Sequence, residues 1–405
     1  MKTLIKAKHL YPVTSEPIKK GCAVVQGGQI IAVGKSEEYT DERLQSEGIG
    51  KVVDLTSYIL LPGFVNAHSH LQLSELRDRF PYQGDYVKWI NNVASFNIEH
   101  TNGPDEKIVA DAIDEMRNSG ITAVADIASS ADHASALLKS KIKSVVFIES
   151  ISPLEERAEE ESRRAHSEVK KILKAGRRAG LSPHAPHTVS IKLYKLLCDM
   201  AKDMDIPLMT HVAETEEETD YIKDGNGAYL DMLKSRNLLP AGFKGTGKRP
   251  LELLNGEEVL QGALTTHLNE IGEDDVSLLK SSGGLPIFCP GSMKWFGRDK
   301  VMPLDKMLKE GFAPALGTDS LASNGSLSML DELRAAVEYF PSIARERFIE
   351  MATINGAKAL SLNCGSIEPG KDADLIAFRA DGASDPLDTI FKAKKADIVL
   401  LSGRL

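Results

Sequence analysis

Apolar and polar positions follow two rhythms along this chain. Residues 1–57 and 363–405 carry short strand-like runs separated by turn residues. Cys22-Ala23-Val24-Val25 and Ile30-Ile31-Ala32-Val33 flank Gln26-Gly27-Gly28-Gln29, which reads as a hairpin. Runs at 373–378 and 396–401 return to this style near the other end. The two ends are expected to pair into one small β domain.

Residues 58–362 behave differently. Apolar runs at 58–67, 121–126, 144–149, 180–184, 207–211, 263–267, 285–289 and 313–319 have the length of buried strands. Amphipathic helical patterns, such as 105–119 and 154–175, lie between most of them. Eight strands alternating with helices predict an α/β fold of the (β/α)8 TIM-barrel type. A doubly wound sheet is the alternative, but it usually has fewer strands. The alternation breaks after His211. Residues 225–250 hold Gly225, Gly227, Pro240, Gly242, Gly245, Gly247 and Pro250, and read as a long excursion from a strand's C-terminal end. In a barrel that end is the active-site face.

The chemistry gathers at the same strand ends. His68-Ser69-His70 closes the first run. Side chains alternate along a strand, so His68 and His70 point the same way and can grip one ion. A zinc-type site wants about four ligands, so two imidazoles need company. The later strands supply His184, His211, His267 and Asp319 at their ends. One histidine at a strand end is usually structural; six polar groups at one end point to a metal site. Imidazoles with a carboxylate suit zinc or ferrous iron. Such an ion makes hydroxide available near neutral pH. Glu214, three residues after His211, can carry a proton without binding metal. Its bland reading is a carboxylate favoured by a helix N-terminus, and the run Glu216-Glu217-Glu218 is expected to be only that.

Composition narrows the class. At 405 residues the chain can bury a large core, and its net charge of -9 argues against a nucleic-acid partner. No apolar run approaches the roughly 18 residues of a membrane span, and Met1 to Lys8 lack a signal peptide's apolar core. Cys22, Cys198, Cys289 and Cys364 form no CxxC pair. A cytoplasmic enzyme with a small-molecule substrate is expected. Nothing in the sequence speaks against a homo-oligomer.

Several motifs together resemble the amidohydrolase superfamily over almost the whole chain. They are Pro62-Gly63-Phe64-Val65-Asn66-Ala67-His68-Ser69-His70, Ser182-Pro183-His184-Ala185-Pro186-His187-Thr188, Thr210-His211-Val212-Ala213-Glu214-Thr215, residues 316–324 and residues 365–375. The resemblance implies a distorted (β/α)8 barrel at 58–362, with a small β-sandwich built from 1–57 and 363–405. Some members bridge two metals with a carboxylated lysine on strand 4, where this chain offers Gly180-Leu181-Ser182-Pro183-His184. The one-metal branch of aminohydrolases is therefore implied. By that resemblance His68, His70, His211 and Asp319 hold one divalent ion, most simply zinc, with iron as the alternative. His267 orients the water, Glu214 relays the proton, Asp319 joins in catalysis and His184 faces the substrate.

Within this branch His68-Ser69-His70-Leu71-Gln72-Leu73-Ser74 is similar to aminodeoxyfutalosine deaminases of menaquinone biosynthesis. Deaminases of methylthioadenosine and S-adenosylhomocysteine compete closely. Amide or chloro-triazine hydrolysis on the same metal site is a further alternative. His187 and Met293 depart from the usual Tyr and Asn, and are expected to alter the substrate pocket. Lys234, Arg236, Lys244, Lys248 and Arg249 in the excursion, with Lys294 and Arg298 near strand 7, are candidates to hold an anionic far end of the substrate. Taken singly, each is more often a solvated surface charge.

Overall fold

The computed structural model describes residues 1–99, 103–380, 382 and 385–404. Its strands are β1 (Lys2–Leu10), β2 (Ile18–Lys19), β3 (Gly21–Gln26), β4 (Gln29–Lys35), β5 (Ile49–Pro62), β6 (Phe64–Ser69), β7 (Ile121–Ala128), β8 (Lys143–Ser150), β9 (Arg178–Pro183), β10 (Met209–Val212), β11 (Leu264–His267), β12 (Leu285–Phe288), β13 (Ala315–Leu316), β14 (Leu375–Arg379) and β15 (Ile398–Leu400).

The chain ends do pair. β15, β14, β5, β1, β3 and β4 lie side by side, with β2 on β1, in one seven-stranded mixed sheet. Leu375 sits opposite Pro62 in the antiparallel β14–β5 ladder. Ile5, Ala23, Leu60 and Leu375 belong to the core on one face of this sheet. The hairpin turns at Gly27 and Gly28, both at positive φ.

The apolar run 58–67 was expected as one strand and is two. Pro62 still pairs in the mixed sheet, whereas Phe64 pairs with Ile121 of the barrel. Gly63 makes the crossing, because a Cβ there would lie 2.1 Å from Thr122 Oγ1. Only a residue without a side chain lets the two layers approach this closely.

β6 to β13 are the eight barrel strands. They form two four-stranded parallel sheets, β6–β9 and β10–β13. Single bridges join them at both seams, Leu181 to Leu208 and Ser69 to Asp319. The second seam carries the site. Thr318 N donates to His68 O at 3.0 Å. Asn66 locks the same seam, donating to Thr318 Oγ1 at 2.7 Å and accepting from Thr318 N at 3.1 Å. Alternate strand residues separate into two cores. Val65, Ala67, Ala123, Ala125, Phe147 and Met209 pack together inside. Phe64, Val124, Val146 and Ile148 pack with helix residues such as Ala112 and Leu193 outside. This is the period-two division expected of strands covered on both faces.

Two helices stand over the mouth. Helix Tyr86–Glu99 follows β6 and helix Ala228–Ser235 lies in the excursion after β10. Tyr86, Trp89, Val93 and Phe96 repeat at helical spacing and are buried against Tyr229 and Leu233. Among the described residues no helix is long and apolar enough to cross a membrane.

Candidate active site

All the polar groups expected at the strand ends converge, as side chains, on one place. His68 and His70 come from the end of β6, His211 from β10, His267 from β11, and Asp319 follows β13. The His68 ring centroid lies 4.9 Å from His70, 5.0 Å from His211 and 5.8 Å from His267. Ligand-capable atoms of His68, His211 and His267 lie within 4.8 Å of one another, as do those of His68, His70 and Asp319. His267 therefore belongs to the same cluster as the four expected ligands.

The residues fit a cation. His68 Nε2 is buried and has no hydrogen-bond partner, while Asp319 Oδ1 stands 3.8 Å away. His70 Nε2 and His211 Nε2 face each other at 3.2 Å. His211 Nδ1 lies 2.8 Å from the carbonyl of His184, which fixes Nδ1 as the donor and leaves Nε2 its lone pair. Burial and the neighbouring imidazoles push His68 and His184 well below the usual histidine range, and His70 down to about 3. Neutral imidazoles are the form that binds metal. Burial pushes the Asp319 carboxyl up, but His267 and His70, with the Ser292 hydrogen bond, outweigh it and hold the group below the usual carboxylate range. Ser292 and Ser323 donate to Asp319 Oδ2 at 2.8 and 2.9 Å, so Oδ1 is the oxygen turned to the histidines.

Backbone strain marks the same residues. His267 and Asp319 both adopt positive φ, at 76° and 57°. Such conformations cost roughly 1–3 kcal/mol and persist where the surroundings fix them. Gly317 supplies the closeness needed at the seam, since a Cβ there would come within 2.7 Å of His68 Cβ.

Glu214 sits beside the cluster rather than in it. Its Oε2 accepts from the Tyr86 hydroxyl at 2.8 Å and lies 3.7 Å from His267 Nε2. Arg298 donates to its carbonyl and stands 3.7 Å from Oε1. The helix after Glu214 starts at Glu216, with Thr215 as its cap. Glu218 lies in the first turn of that helix, as expected, but does more than favour its dipole. It is buried and accepts from the backbone N–H groups of Ala213 and Glu214 at 3.1 and 2.9 Å. Burial raises it to about 8 despite those bonds. It fixes the turn that presents Glu214.

The cluster floors a cavity of about 380 Å³, ordinary for a small-molecule site. Tyr86, Trp89, Ile90, Val93 and Leu233 give it an apolar wall. His184 lines it, with Nδ1 held by Thr188 Oγ1 at 2.7 Å. His187 lines it too and packs at 4.1 Å on the Tyr229 ring. Met293 does not; it is buried in the main core, so its effect on the pocket was wrongly expected. The loop-like excursion contains the helix that walls the cavity.

The sequence reading missed Glu149, Tyr86, Asp126 and the two serines on Asp319. Glu149 groups with His184 and His211, and burial raises it to about 7. Asp126 accepts from Leu71 N and Ser69 Oγ, which fixes the turn after His70; burial raises it to about 7. Both close expected strand runs, at 121–126 and 144–149, so a complete census of strand ends would have found them. Tyr86 carries no such signal.

Fold and site together define a barrel hydrolase with a metal-capable histidine centre. The chain belongs to the amidohydrolase family, whose model matches residues 59–405. A 5-methylthioadenosine/S-adenosylhomocysteine deaminase of Pyrococcus furiosus is 29% identical over 353 residues, covering 80% of this chain and 75% of that protein. The aminofutalosine deaminase of Helicobacter pylori, solved in complex with methylthio-coformycin, superposes with a TM-score of 0.88 at 24% identity, covering 99% of each chain. An adenosine deaminase from Xanthomonas campestris with bound zinc gives 0.81 at 22% identity, over 99% of this chain and 92% of that one.

Proposed function

We propose that this protein deaminates an adenine nucleoside hydrolytically, at a single divalent ion held by His68, His70, His211 and Asp319. The observation that carries the reading is the floor of the cavity. A histidine–aspartate cluster there meets a carboxylate, Glu214, which is hydrogen-bonded to Tyr86 and lies outside the groups able to hold an ion. Zinc suits the donor set and is the ion of one structural relative. The four free cysteines suit a reducing, cytoplasmic setting.

When bound, the ion supplies Lewis acidity and hydroxide near neutral pH. The chain's own groups do the rest. Glu214 protonates the ring nitrogen beside the carbon under attack, which makes the amidine electrophilic. His267, 3.7 Å from Glu214, orients the attacking oxygen. Asp319 takes the water's proton through Oδ1 and helps deliver it to the amino group. A C–O bond forms, the C–N bond breaks and ammonia leaves. His184 faces the purine from the cavity wall.

6-Amino-6-deoxyfutalosine is the leading substrate, which would place the enzyme in menaquinone synthesis. Methylthioadenosine and S-adenosylhomocysteine are the alternatives, favoured by the Pyrococcus relative. The test is ammonia release by purified, zinc-loaded protein from a panel of these nucleosides and a chloro-triazine. Turnover of an adenine nucleoside is expected. Turnover of the triazine alone would sink the reading.

A further inference from the structure

The cations expected at the cavity rim separate sharply once their partners are known. Arg249 pairs with Asp275, Lys294 with Glu338, and Lys234 lies 3.9 Å from Asp231. Arg298 stands against Glu214. Lys244 and Lys248 do not line the cavity. Arg236 does line it, and it makes no ion pair among the described residues.

Its guanidinium is nonetheless fixed. Nε donates to Asn91 Oδ1 at 2.8 Å, and Nη2 donates to the Asn91 carbonyl at 3.0 Å and to Ser95 Oγ at 2.8 Å. All three acceptors are neutral and come from helix Tyr86–Glu99. A guanidinium has five N–H donors. Those on Nη1 have no partner among the described residues. Ile90, Val93, Leu233 and Leu238 line the same cavity. A half-buried, pre-oriented cation with spare donors, on the wall of a largely apolar cavity, is placed to pair with an anion.

We propose that Arg236 is a specificity-determining residue that receives a carboxylate carried on an apolar substituent of the substrate. The proposal rests on the adenine-nucleoside reading for the reacting end. Apolar wall residues take the spacer and Arg236 takes the anion. A nucleotide's phosphate is a different claim, since it has no apolar spacer.

The test uses full-length, zinc-loaded protein. Two adenine nucleosides are compared that differ only in whether a 5′ aryl group bears a carboxylate, with AMP as a third substrate. In Arg236→Met the ratio of kcat/KM, carboxylated over neutral, is expected to fall about 10–100-fold, the range for losing a charged hydrogen bond. The change should lie mainly in KM, with partial recovery in Arg236→Lys. Lys234→Ala, exposed two residues before Arg236, should keep the wild-type ratio. An unchanged ratio in Arg236→Met overturns the proposal. So does AMP as the preferred substrate of the wild type. If the wild type deaminates no nucleoside, the adenine reading falls by itself, and calorimetric binding of benzoate decides about Arg236. Weaker binding in Arg236→Met then upholds the anion subsite, and equal binding overturns it.

Discussion

The floor of the cavity and its wall are built on opposite principles. The floor takes His68, His211 and His267 from strand ends, and each is nearly inaccessible. Its backbone is pinned by Asn66, Asp126 and Glu218, all buried acceptors of main-chain N–H groups. The wall is two helices, Tyr86–Glu99 and Ala228–Ser235, meeting through aromatic and aliphatic side chains. Rigid strands hold chemistry to within fractions of an ångström, whereas apolar helix faces tolerate volume-conserving change. Chemistry should therefore fail abruptly when the floor is altered. Substrate range should drift gradually when the wall is altered.

The sharpest way to break this contrast is His68→Ala. A buried imidazole with an unpartnered Nε2, proposed as a ligand, is lost, and the proposed site is left incomplete. We expect loss of the bound ion by elemental analysis and activity at background. A variant that still holds one ion per chain at full turnover would show that the floor is not one unit. Glu214→Gln should separate chemistry from ligation. The ion is retained, and kcat falls on the order of 10²–10⁴-fold because the amide cannot transfer the proton. Near-normal turnover would remove Glu214 from the mechanism.

Acid should distinguish the two regions next. Burial and nearby imidazoles hold His70 at about 3, and burial with His211 does the same for His187. Their unfolded values are near 6.5. Below that value the unfolded chain binds protons that the folded chain refuses. Their contribution to stability is thus present above about pH 6.5 and is lost as pH falls from there toward 3. Asp126, Glu149 and Glu218, raised by burial, gain stability as pH falls through the same window, so the test is a difference. In metal-free protein the melting temperature of His187→Asn, relative to wild type, should rise as pH falls from about 6.5 to about 4. An unchanged difference across that window would contradict a neutral His187.

The contrast also explains what could be read from sequence. The floor was legible because strand periodicity puts His68 and His70 on one side, and because strand ends share one face of a barrel. The eight strand runs were visible for the same reason. The split at Gly63 was not, since Tyr58 to Ala67 is one apolar run and only its neighbour Thr122 reveals the crossing. Glu218 was legible as a helix-start carboxylate, but its bonds to the N–H groups of Ala213 and Glu214 were not, because a run of three glutamates does not say which one the backbone turns inward. The wall was least legible. Tyr86 and Trp89 look like ordinary helix core residues, and Arg236 resembles its paired neighbours until its partners are known.

Tyr86 is where wall meets floor, and it offers the finest test. Its hydroxyl donates to Glu214 Oε2 at 2.8 Å, while its ring packs within the wall, 5.2 Å from Phe296. Tyr86→Phe keeps the ring and removes only the donor. A hydrogen bond to a charged group is worth about 1.5–3 kcal/mol. Arg298 remains 3.7 Å from the other oxygen and should offset part of the loss. We therefore expect kcat to fall roughly tenfold, the low end of that range by the usual conversion, with KM nearly unchanged. The double variant with Glu214→Gln should be no slower than Glu214→Gln alone, because residues acting through one contact are not additive. Fully additive losses would mean that Tyr86 acts on the substrate instead of through Glu214. The wall would then be part of the chemistry, and the division between floor and wall would have to be redrawn at that hydroxyl.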